Sequence, residues 1–298
     1  MGQRQGSRPV YFLKISIALY LFFACLLPGL SLRAQEAKSL LWKISGNHLQ
    51  APSYLLGTMH LVCGEDFEIS PKLKTVLKKV HTVTFEADIA AMDGTSQLMD
   101  LMKPVPGILE KTPPAQRRAL DSLLKAYQLT PDVLNYMSPF GVTSVLTLKS
   151  FNCSDASEVK MMEKELYNWA QDDSLQIDHL ESVDFQIQVI RSMNTIDELL
   201  STLKGMKDAP HFIKDLVQVY KTEDLPRLTS LMSDPSFMST VQQTRLLKER
   251  NDNWTQLLPG KMKKSATLFA VGAGHLGGPN GLIRLLKEKG YAVTPVFD

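Results

Sequence analysis

Two histidines and one glutamate are the candidate functional residues, because their types and their positions in the sequence suit a metal-binding or catalytic site. Each histidine ends a glycine-containing turn that follows an apolar stretch, in Gly57-Thr58-Met59-His60 and in Gly272-Ala273-Gly274-His275. Glu86 closes an alternating apolar segment in the same way. Two imidazoles and one carboxylate can hold Mn²⁺, Co²⁺ or Zn²⁺ and leave a position open for water. The alternative is that both histidines cap loops and Glu86 pairs with a lysine.

Arg250 is a further candidate. A helix is predicted from about Ser239 to Leu258, and helical spacing places Arg250 and Asn251 on its apolar face, which is formed by Leu246, Leu247, Trp254, Leu257 and Leu258. A guanidinium on a buried face needs a partner, because an unpaired buried charge is very costly. Arg250 either extends past the core to solvent, or it orients Glu86 or stabilises an oxyanion. We take Glu86, Arg250, His60 and His275 as the candidate catalytic residues.

The elements before these residues are predicted to be strands of one sheet. Residues 40–44 and 54–56 form two apolar runs separated by turn residues, which indicates an antiparallel hairpin. Ser70 and Pro71 begin a helix that extends to Val80, and Thr82–Glu86 form the next strand. If the strands that precede the three residues are parallel neighbours, their carboxyl ends meet within a few ångströms at one edge of the sheet.

The C-terminal segment has the pattern of a βαβ unit. An apolar strand at 268–271 is followed by a helix at 280–289, which Gly290 ends, and by a second strand at 291–297. Such a unit predicts two parallel, largely buried strands joined by a right-handed crossover. Ligands of open α/β sheets bind at the carboxyl ends of strands, which is where His275 lies.

The long middle of the chain, about 91–259, is predicted to be a mainly helical insertion. Within it, residues 176–182 are predicted to return as one more strand, which runs into a helix that begins near Ser182. Glu181 at the end of this strand is a second-rank site candidate, and His179 is an ordinary surface or packing residue. The fold class is therefore α/β, with a mixed central sheet, an N-terminal hairpin, a C-terminal βαβ unit and a large helical insertion.

Residues 1–34 have the pattern of a secretory signal peptide, and 35–298 form the domain. Arg4, Arg8 and Lys14 precede an apolar run from Ile15 to Leu27. A segment typical of a signal-peptide cleavage site follows, and it ends at Ala34. An uncleaved anchor is the alternative, which would be the chain's one contact with the membrane. Lipidation at Cys25 is disfavoured by the bulky residues before it. We expect an exported protein, periplasmic or secreted, whose mature chain begins near Gln35.

Without residues 1–34, the chain has 29 Lys and Arg residues against 31 Asp and Glu residues. This near-neutral balance argues against nucleic acid as a partner, and Lys72, Lys74, Lys78 and Lys79 are predicted to form the solvated face of one helix. Cys63 and Cys153 are the two cysteines that remain. Export makes a disulfide between them possible, and two free thiols are the alternative. Of the two, we predict the disulfide.

The chain resembles a known family through five segments in a fixed order: Gly57-Thr58-Met59-His60-Leu61, Phe85-Glu86-Ala87-Asp88, Leu180-Glu181-Ser182, Glu249-Arg250-Asn251 and Gly272-Ala273-Gly274-His275-Leu276. These are similar to motifs of the TraB/GumN family, which includes the Tiki proteins of animals. The resemblance implies an α/β fold similar to the erythromycin-esterase and ChaN-like proteins. For Tiki members it implies a divalent-metal-dependent peptidase.

Carried over, the paired histidines of the family fall on His60 and His275, and its acidic residue falls on Glu86. The chain departs from the family pattern around Glu181, where His179 and Ser182 replace a glycine and a threonine. The favoured hypothesis is an exported metal-dependent hydrolase with a peptide or protein substrate. The alternatives are a non-catalytic envelope module that binds a haem-like ligand or a partner protein, and a structural envelope factor.

Overall fold

The computed structural model describes residues 38–92, 96–151, 153, 159–206, 209–235 and 237–298. The predicted signal segment, residues 1–34, lies outside these ranges. Residues Ala37–Asp298 form one unit by their contacts. Within the described ranges, no helix has both the length and the apolar character needed to cross a bilayer.

A mixed sheet of six strands organises the fold, in the order β6-β4-β7-β2-β1-β8. Its strands are β1 Leu41–Ser45, β2 Ser53–Thr58, β4 Thr82–Phe85, β6 Gln176–His179, β7 Thr267–Gly272 and β8 Ala292–Pro295. Strands β6, β4, β7 and β2 are parallel neighbours, whereas β1 is antiparallel to both β2 and β8. A separate antiparallel ribbon pairs β3 Val62–Cys63 with β5 Val159–Lys160. The α/β class, the hairpin and the returning strand near 176 are confirmed.

Helices cover both faces of the sheet and fill the long insertion. They are α1 Pro71–Leu77, α2 Ile89–Met92, α3 Ser96–Met102, α4 Ile108–Lys111, α5 Pro114–Leu124, α6 Pro139–Ser150, α7 Met162–Asp172, α8 Val183–Ser192, α9 Ile196–Gly205, α10 Ala209–Lys221, α11 Leu225–Met232, α12 Thr240–Gln242, α13 Glu249–Lys264 and α14 Leu282–Glu288. Short 3₁₀ turns occur at Gly64–Asp66, Lys125–Tyr127, Pro131–Asn135 and Ala273–His275, and a π-helical turn spans Gln243–Lys248.

The strands alternate between two hydrophobic cores, because successive side chains of a strand point to opposite faces. On β7, Phe269 and Val271 pack against α11, α13 and α14, whereas Leu268 and Ala270 face the core under α1 and α7. All six residues of β7 are buried, as expected for a strand covered on both faces. A third core joins α5, α6 and α9 inside the insertion. The rigid centre of the molecule is thus the group of parallel strands β4, β7 and β2.

The C-terminal strands depart from the predicted βαβ unit. Strands β7 and β8 run in the same direction, but β2 and β1 lie between them. The prediction of burial is wrong for β8, where Ala292 and Thr294 are exposed. Thr294 lies opposite Lys43 of β1, which is also exposed, so this face of the sheet is uncovered at the β8 edge. The hairpin of β1 and β2 occupies the positions that a simple crossover would have left to β8.

The predicted helix from Ser239 to Leu258 begins with a Ser239 capping box, changes to the π-helical turn and continues through Pro259 to Lys264. Its buried residues are Arg250, Asn251, Trp254, Thr255, Leu258 and Met262. Placing Leu257 on the buried stripe was wrong, since its side chain is 44% exposed. The buried face is centred towards Thr255 and Leu258, which turns Leu257 to solvent.

The predicted solvated lysine face of α1 is wrong at one position. Ser70 caps α1 as expected by accepting the Leu73 N–H, and Lys74, Lys78 and Lys79 are exposed. Lys72 instead is buried, and its Nζ lies 2.6 Å from Glu223 Oε2. The same oxygen accepts the Leu40 N–H at 2.9 Å. Lys72 therefore ties α1 to the end of α10 and to the start of β1.

The predicted disulfide is present between Cys63 and Cys153, whose Cα atoms are 5.4 Å apart. Cys63 is also in the β3–β5 ribbon, where it lies opposite Val159. The ribbon and the disulfide together hold the chain just after His60 against the chain just before α7. They fix the loop that carries the first histidine.

Replacing both bridged cysteines, Cys63→Ser with Cys153→Ser, is expected to lower the free energy of unfolding by about 2–4 kcal/mol, because the bridge closes a long loop and restricts the unfolded chain. Urea unfolding of the purified protein measures the change. Wild-type protein in a strong reductant is the matched control and should reach the same lowered value. An unchanged free energy of unfolding in both samples would contradict the expectation.

Candidate functional site

Three neighbouring parallel strands deliver the three predicted residues to one edge of the sheet. Strand β7 lies between β4 and β2, and Thr58 on β2 lies opposite Gly272 on β7. Glu86 follows β4 directly, His60 comes two residues after β2, and His275 ends the 3₁₀ turn after β7. The carboxyl ends of these strands converge because strands in a sheet are only about 4.8 Å apart.

Glu86 lies at the centre of this edge and is buried. Its Oε1 accepts the backbone N–H of Gly272 at 2.7 Å and lies 3.7 Å from His275 Nε2. A Cβ on Gly272 would lie 3.0 Å from His60 Nε2 and 3.4 Å from Glu86 Oε1, so the absence of a side chain at this glycine leaves a small space between the two groups.

His60 is held through its other ring nitrogen by Glu163, near the start of α7. His60 Nδ1 donates to Glu163 Oε1 at 2.7 Å, and the Thr58 hydroxyl donates to the same oxygen at 2.5 Å. Glu163 raises the pKa of His60 to about 9, although 62% of the His60 side chain is exposed. Burial opposes ionisation of Glu163, but the His60 cation and hydrogen bond lower its pKa overall. Among the described residues, Glu163 Oε2 has no hydrogen-bond partner.

His275 is fully enclosed, and its tautomer follows from Asn251. The Asn251 amide nitrogen donates to the backbone carbonyls of His275 and Asn280, at 3.2 and 2.8 Å, so its Oδ1 is left to accept from His275 Nδ1 at 2.7 Å. The proton therefore lies on Nδ1, and the lone pair of Nε2 faces the cluster. Burial lowers the pKa of His275 to about 3, and the ring stays neutral against Trp254, at 4.4 Å between ring centroids.

Arg250 connects the remaining groups. Its Nη2 donates to Glu86 Oε2 at 2.5 Å and to Glu181 Oε1 at 2.6 Å, and its Nε donates to Glu181 at 3.0 Å. Its Nη1 donates to the Leu246 carbonyl at 3.1 Å and to His275 Nε2 at 3.3 Å. All five N–H groups of the guanidinium thus have acceptors. Of the three roles left open by the sequence, the geometry supports orientation of Glu86.

The surroundings of Arg250 explain how two carboxylates are tolerated in a buried place. Burial opposes ionisation of Glu86, but Arg250 and the two histidines hold its pKa well below the usual range. Burial raises the pKa of Glu181, although Arg250 pairs with it and Trp254 Nε1 donates to it at 3.0 Å. The guanidinium also lies 4.6 Å above the Trp254 ring. The π-helical turn just before Arg250 is a feature that often occurs at functional sites.

All five sequence candidates, His60, Glu86, Glu181, Arg250 and His275, belong to this cluster, and His179 lies apart at the exposed end of β6. The roles of Thr58, Glu163 and Asn251 in the cluster were not predicted from the sequence. Asn251 was placed on the buried face of its helix, which was a usable signal. Glu163 gave none, because the β3–β5 ribbon and the disulfide bring α7 to His60 across about 100 residues of sequence.

The donor set suits a divalent cation in kind and orientation. Each imidazole is fixed through Nδ1 by a side-chain oxygen. His275 Nε2 lies 3.7 Å from Glu86 Oε1, and His60 Nε2 faces the same oxygen across the space at Gly272. The ligand atoms of His60, Glu86 and His275 lie farther apart than those of a closely spaced metal site. Among the described residues, only Cys63, Glu65 and Asp66 place three potential ligand atoms within 4.8 Å of one another, and Cys63 is bridged. The donors therefore point to one edge of the sheet, and binding a metal requires them to move closer together.

Comparison with known proteins identifies one family. The model of the TraB/PrgY/gumN family matches residues 40–295, nearly the whole described chain. No curated protein and no solved structure matches the chain significantly.

The depressed pKa of His275 predicts a pH-dependent contribution to stability. Unfolded, its pKa is about 6.5, and folded it is about 3, so between these values the unfolded state binds the additional proton. The wild-type free energy of unfolding should therefore fall relative to that of His275→Gln as pH drops below 6.5, by up to about 1.4 kcal/mol per pH unit.

Urea unfolding of both proteins at pH 7, 6 and 5 measures this contribution. The comparison with the variant removes the other titrating groups. A difference between the two proteins that stays constant with pH would contradict the neutral, buried state of His275.

Proposed function

The chain belongs to the TraB/PrgY/gumN family, and from that membership and the geometry of the cluster we propose that it is an exported, metal-dependent hydrolase that cleaves peptide bonds. One observation carries the proposal. His60 and His275 are each anchored through Nδ1, to Glu163 and Asn251, so that both Nε2 atoms face the edge where Glu86 lies. Histidines that bind metals are usually oriented by such a partner on the second ring nitrogen.

His60 Nε2, His275 Nε2 and Glu86 are the residues that would hold the cation, and Mn²⁺, Co²⁺ and Zn²⁺ all suit this donor set. When bound, such a cation polarises a carbonyl and lowers the pKa of a coordinated water to about 7. The surrounding side chains keep these donors in the protonation state that binding a cation requires. Arg250 keeps Glu86 ionised, and Asn251 keeps the Nε2 lone pair of His275 free of a proton.

The protonation state of His60 determines whether its Nε2 can hold a cation. With its pKa raised to about 9 by Glu163, His60 carries a proton on Nε2 at neutral pH, and this proton would have to leave before the nitrogen could hold a cation. The Nδ1 proton stays with Glu163, so the ring keeps its orientation when the Nε2 proton leaves. Once His275 Nε2 binds another partner, the Nη1 of Arg250 loses that acceptor and is free to donate to a developing oxyanion at the same edge.

Export is part of the proposal, and two features support it. The first is the signal-like pattern of residues 1–34. The second is the Cys63–Cys153 disulfide, because disulfides persist in oxidising compartments such as the periplasm or the exterior of the cell.

Removing His60 tests the proposal with little risk to the fold, because much of its ring is exposed. His60→Ala should lose bound metal and peptide hydrolysis. Glu163→Ala should lose about 10- to 100-fold in metal affinity or activity, since it removes the partner that orients the ligand. His179→Ala, at an exposed position outside the cluster, is the matched control and should behave as wild type.

Metal content after dialysis against Mn²⁺ or Zn²⁺, measured by mass spectrometry on untagged protein, and cleavage of an unstructured protein substrate report the two properties. Full metal content in His60→Ala would exclude His60 as a ligand. Metal binding without any turnover in the wild type would favour the binding-module alternative.

A further inference from the structure

A cavity of about 380 Å³ opens directly beside the polar cluster. One end is formed by Thr58, His60, Arg250 and His275. Most of the remaining wall is apolar, and it includes Met59, Leu61, Met232, Met238, Leu246 and Leu247. Several of these side chains, such as Met232, Leu246 and Leu247, are only partly buried and therefore present apolar surface to the cavity.

The apolar wall begins within one residue of the cluster. A Cβ on Gly274, the residue before His275, would lie 3.2 Å from the Met232 methyl carbon and 3.5 Å from Leu247 Cδ2. Met232 ends α11, and Leu247 belongs to the π-helical turn that precedes Arg250. A group bound at the polar end would therefore place its neighbouring atoms against apolar side chains.

The charges at the cavity point to the kind of ligand that fits. The ionisable groups in its described lining are Arg250, His60, His275 and the neutral Tyr220, and no carboxylate is among them. A carbonyl or carboxylate oxygen is favoured at the polar end. A charged side chain is disfavoured along the apolar wall, because burying it without a partner is costly. Methionines at three positions suit aliphatic and aromatic groups of differing shape, since their side chains adapt readily.

We propose that this cavity is the specificity pocket of the enzyme, and that it accepts substrates whose scissile carbonyl lies next to a bulky, uncharged, apolar group. The assignment as a specificity pocket rests on the proposed hydrolase function. The cavity volume lies in the range of small-molecule sites, so a bulky side chain fits inside it.

Binding of straight-chain carboxylates from acetate to octanoate tests the pocket without needing metal or turnover. The carboxylate occupies the polar end, and each added methylene enters the apolar part. Affinity measured by calorimetry should rise about fourfold per methylene until the cavity is filled. The ¹³C-methyl resonances of Met232 and Met238 should shift on binding, which locates the chain.

Met232→Gln, which is similar in size but polar, should flatten the dependence of affinity on chain length, and Leu246→Gln provides a second variant if Met232→Gln does not fold. Met99→Gln is the matched control, because Met99 is 65% exposed on α3, outside the cavity lining, and should keep the wild-type dependence. A flat dependence in wild type, or an equal loss in the Met99 variant, would overturn the proposal.

Cleavage of peptides that differ in one side chain beside the scissile bond separates the two proposals. Preference for Leu or Phe over Asp or Lys, lost in Met232→Gln, supports the pocket. Cleavage that ignores this side chain overturns the pocket and leaves the hydrolase function intact. Chain-length-dependent binding without cleavage of any peptide overturns the hydrolase function and the substrate assignment, while showing that the cavity binds apolar chains.

Discussion

The guanidinium of Arg250 lies between two buried carboxylates, and the rest of the cluster depends on that ion pair. Glu86 and Glu181 each accept from its Nη2, and its remaining donors reach Leu246 and His275. Two buried carboxylates repel each other and lose hydration, which only a well-oriented cation with satisfied hydrogen bonds can offset. Removing Arg250 would leave both charges unpaired. The stacking of Trp254 and the π-helical turn before Arg250 hold the guanidinium where both carboxylates reach it.

This ion pair is joined to the sheet through Glu86. The carboxylate accepts the N–H of Gly272 at the end of β7, so the position of the charge is set by the backbone of the most deeply buried strand. Asn251, next to Arg250 on α13, fixes the tautomer of His275 from the same helix. The histidine on the other side depends on a separate support, in which the β3–β5 ribbon and the disulfide bring Glu163 to His60. The cluster therefore has a rigid half on β7 and α13 and a more exposed half at His60.

The parts of the site that sequence could predict are those set by local periodicity. Apolar runs that end in glycine-containing turns located His60 and His275 at strand ends, and an alternating apolar run located Glu86. Parallel pairing of the strands then brings the three residues together. Arg250 was found because a charge on an apolar helical face requires a partner. Glu163 could not be found, because its approach to His60 depends on a two-residue ribbon and a distant cysteine. The burial of Lys72 could not be predicted for the same reason, since its partner Glu223 lies about 150 residues away in the sequence. The position of β8 depends on how the hairpin inserts into the sheet, which local pattern does not encode.

Anomalous diffraction from a crystal of the protein soaked in Mn²⁺ tests the shared-metal site most directly. We predict one strong anomalous peak bonded to His60 Nε2, His275 Nε2 and Glu86, with the Nη1 of Arg250 released from His275 and its Nη2 still paired with Glu181. Crystals at pH 9 should show higher occupancy than crystals at pH 7, because His60 must lose its proton. Density that shows Arg250 still bonded to His275 Nε2, with no peak among these residues at either pH, would contradict the shared-metal site.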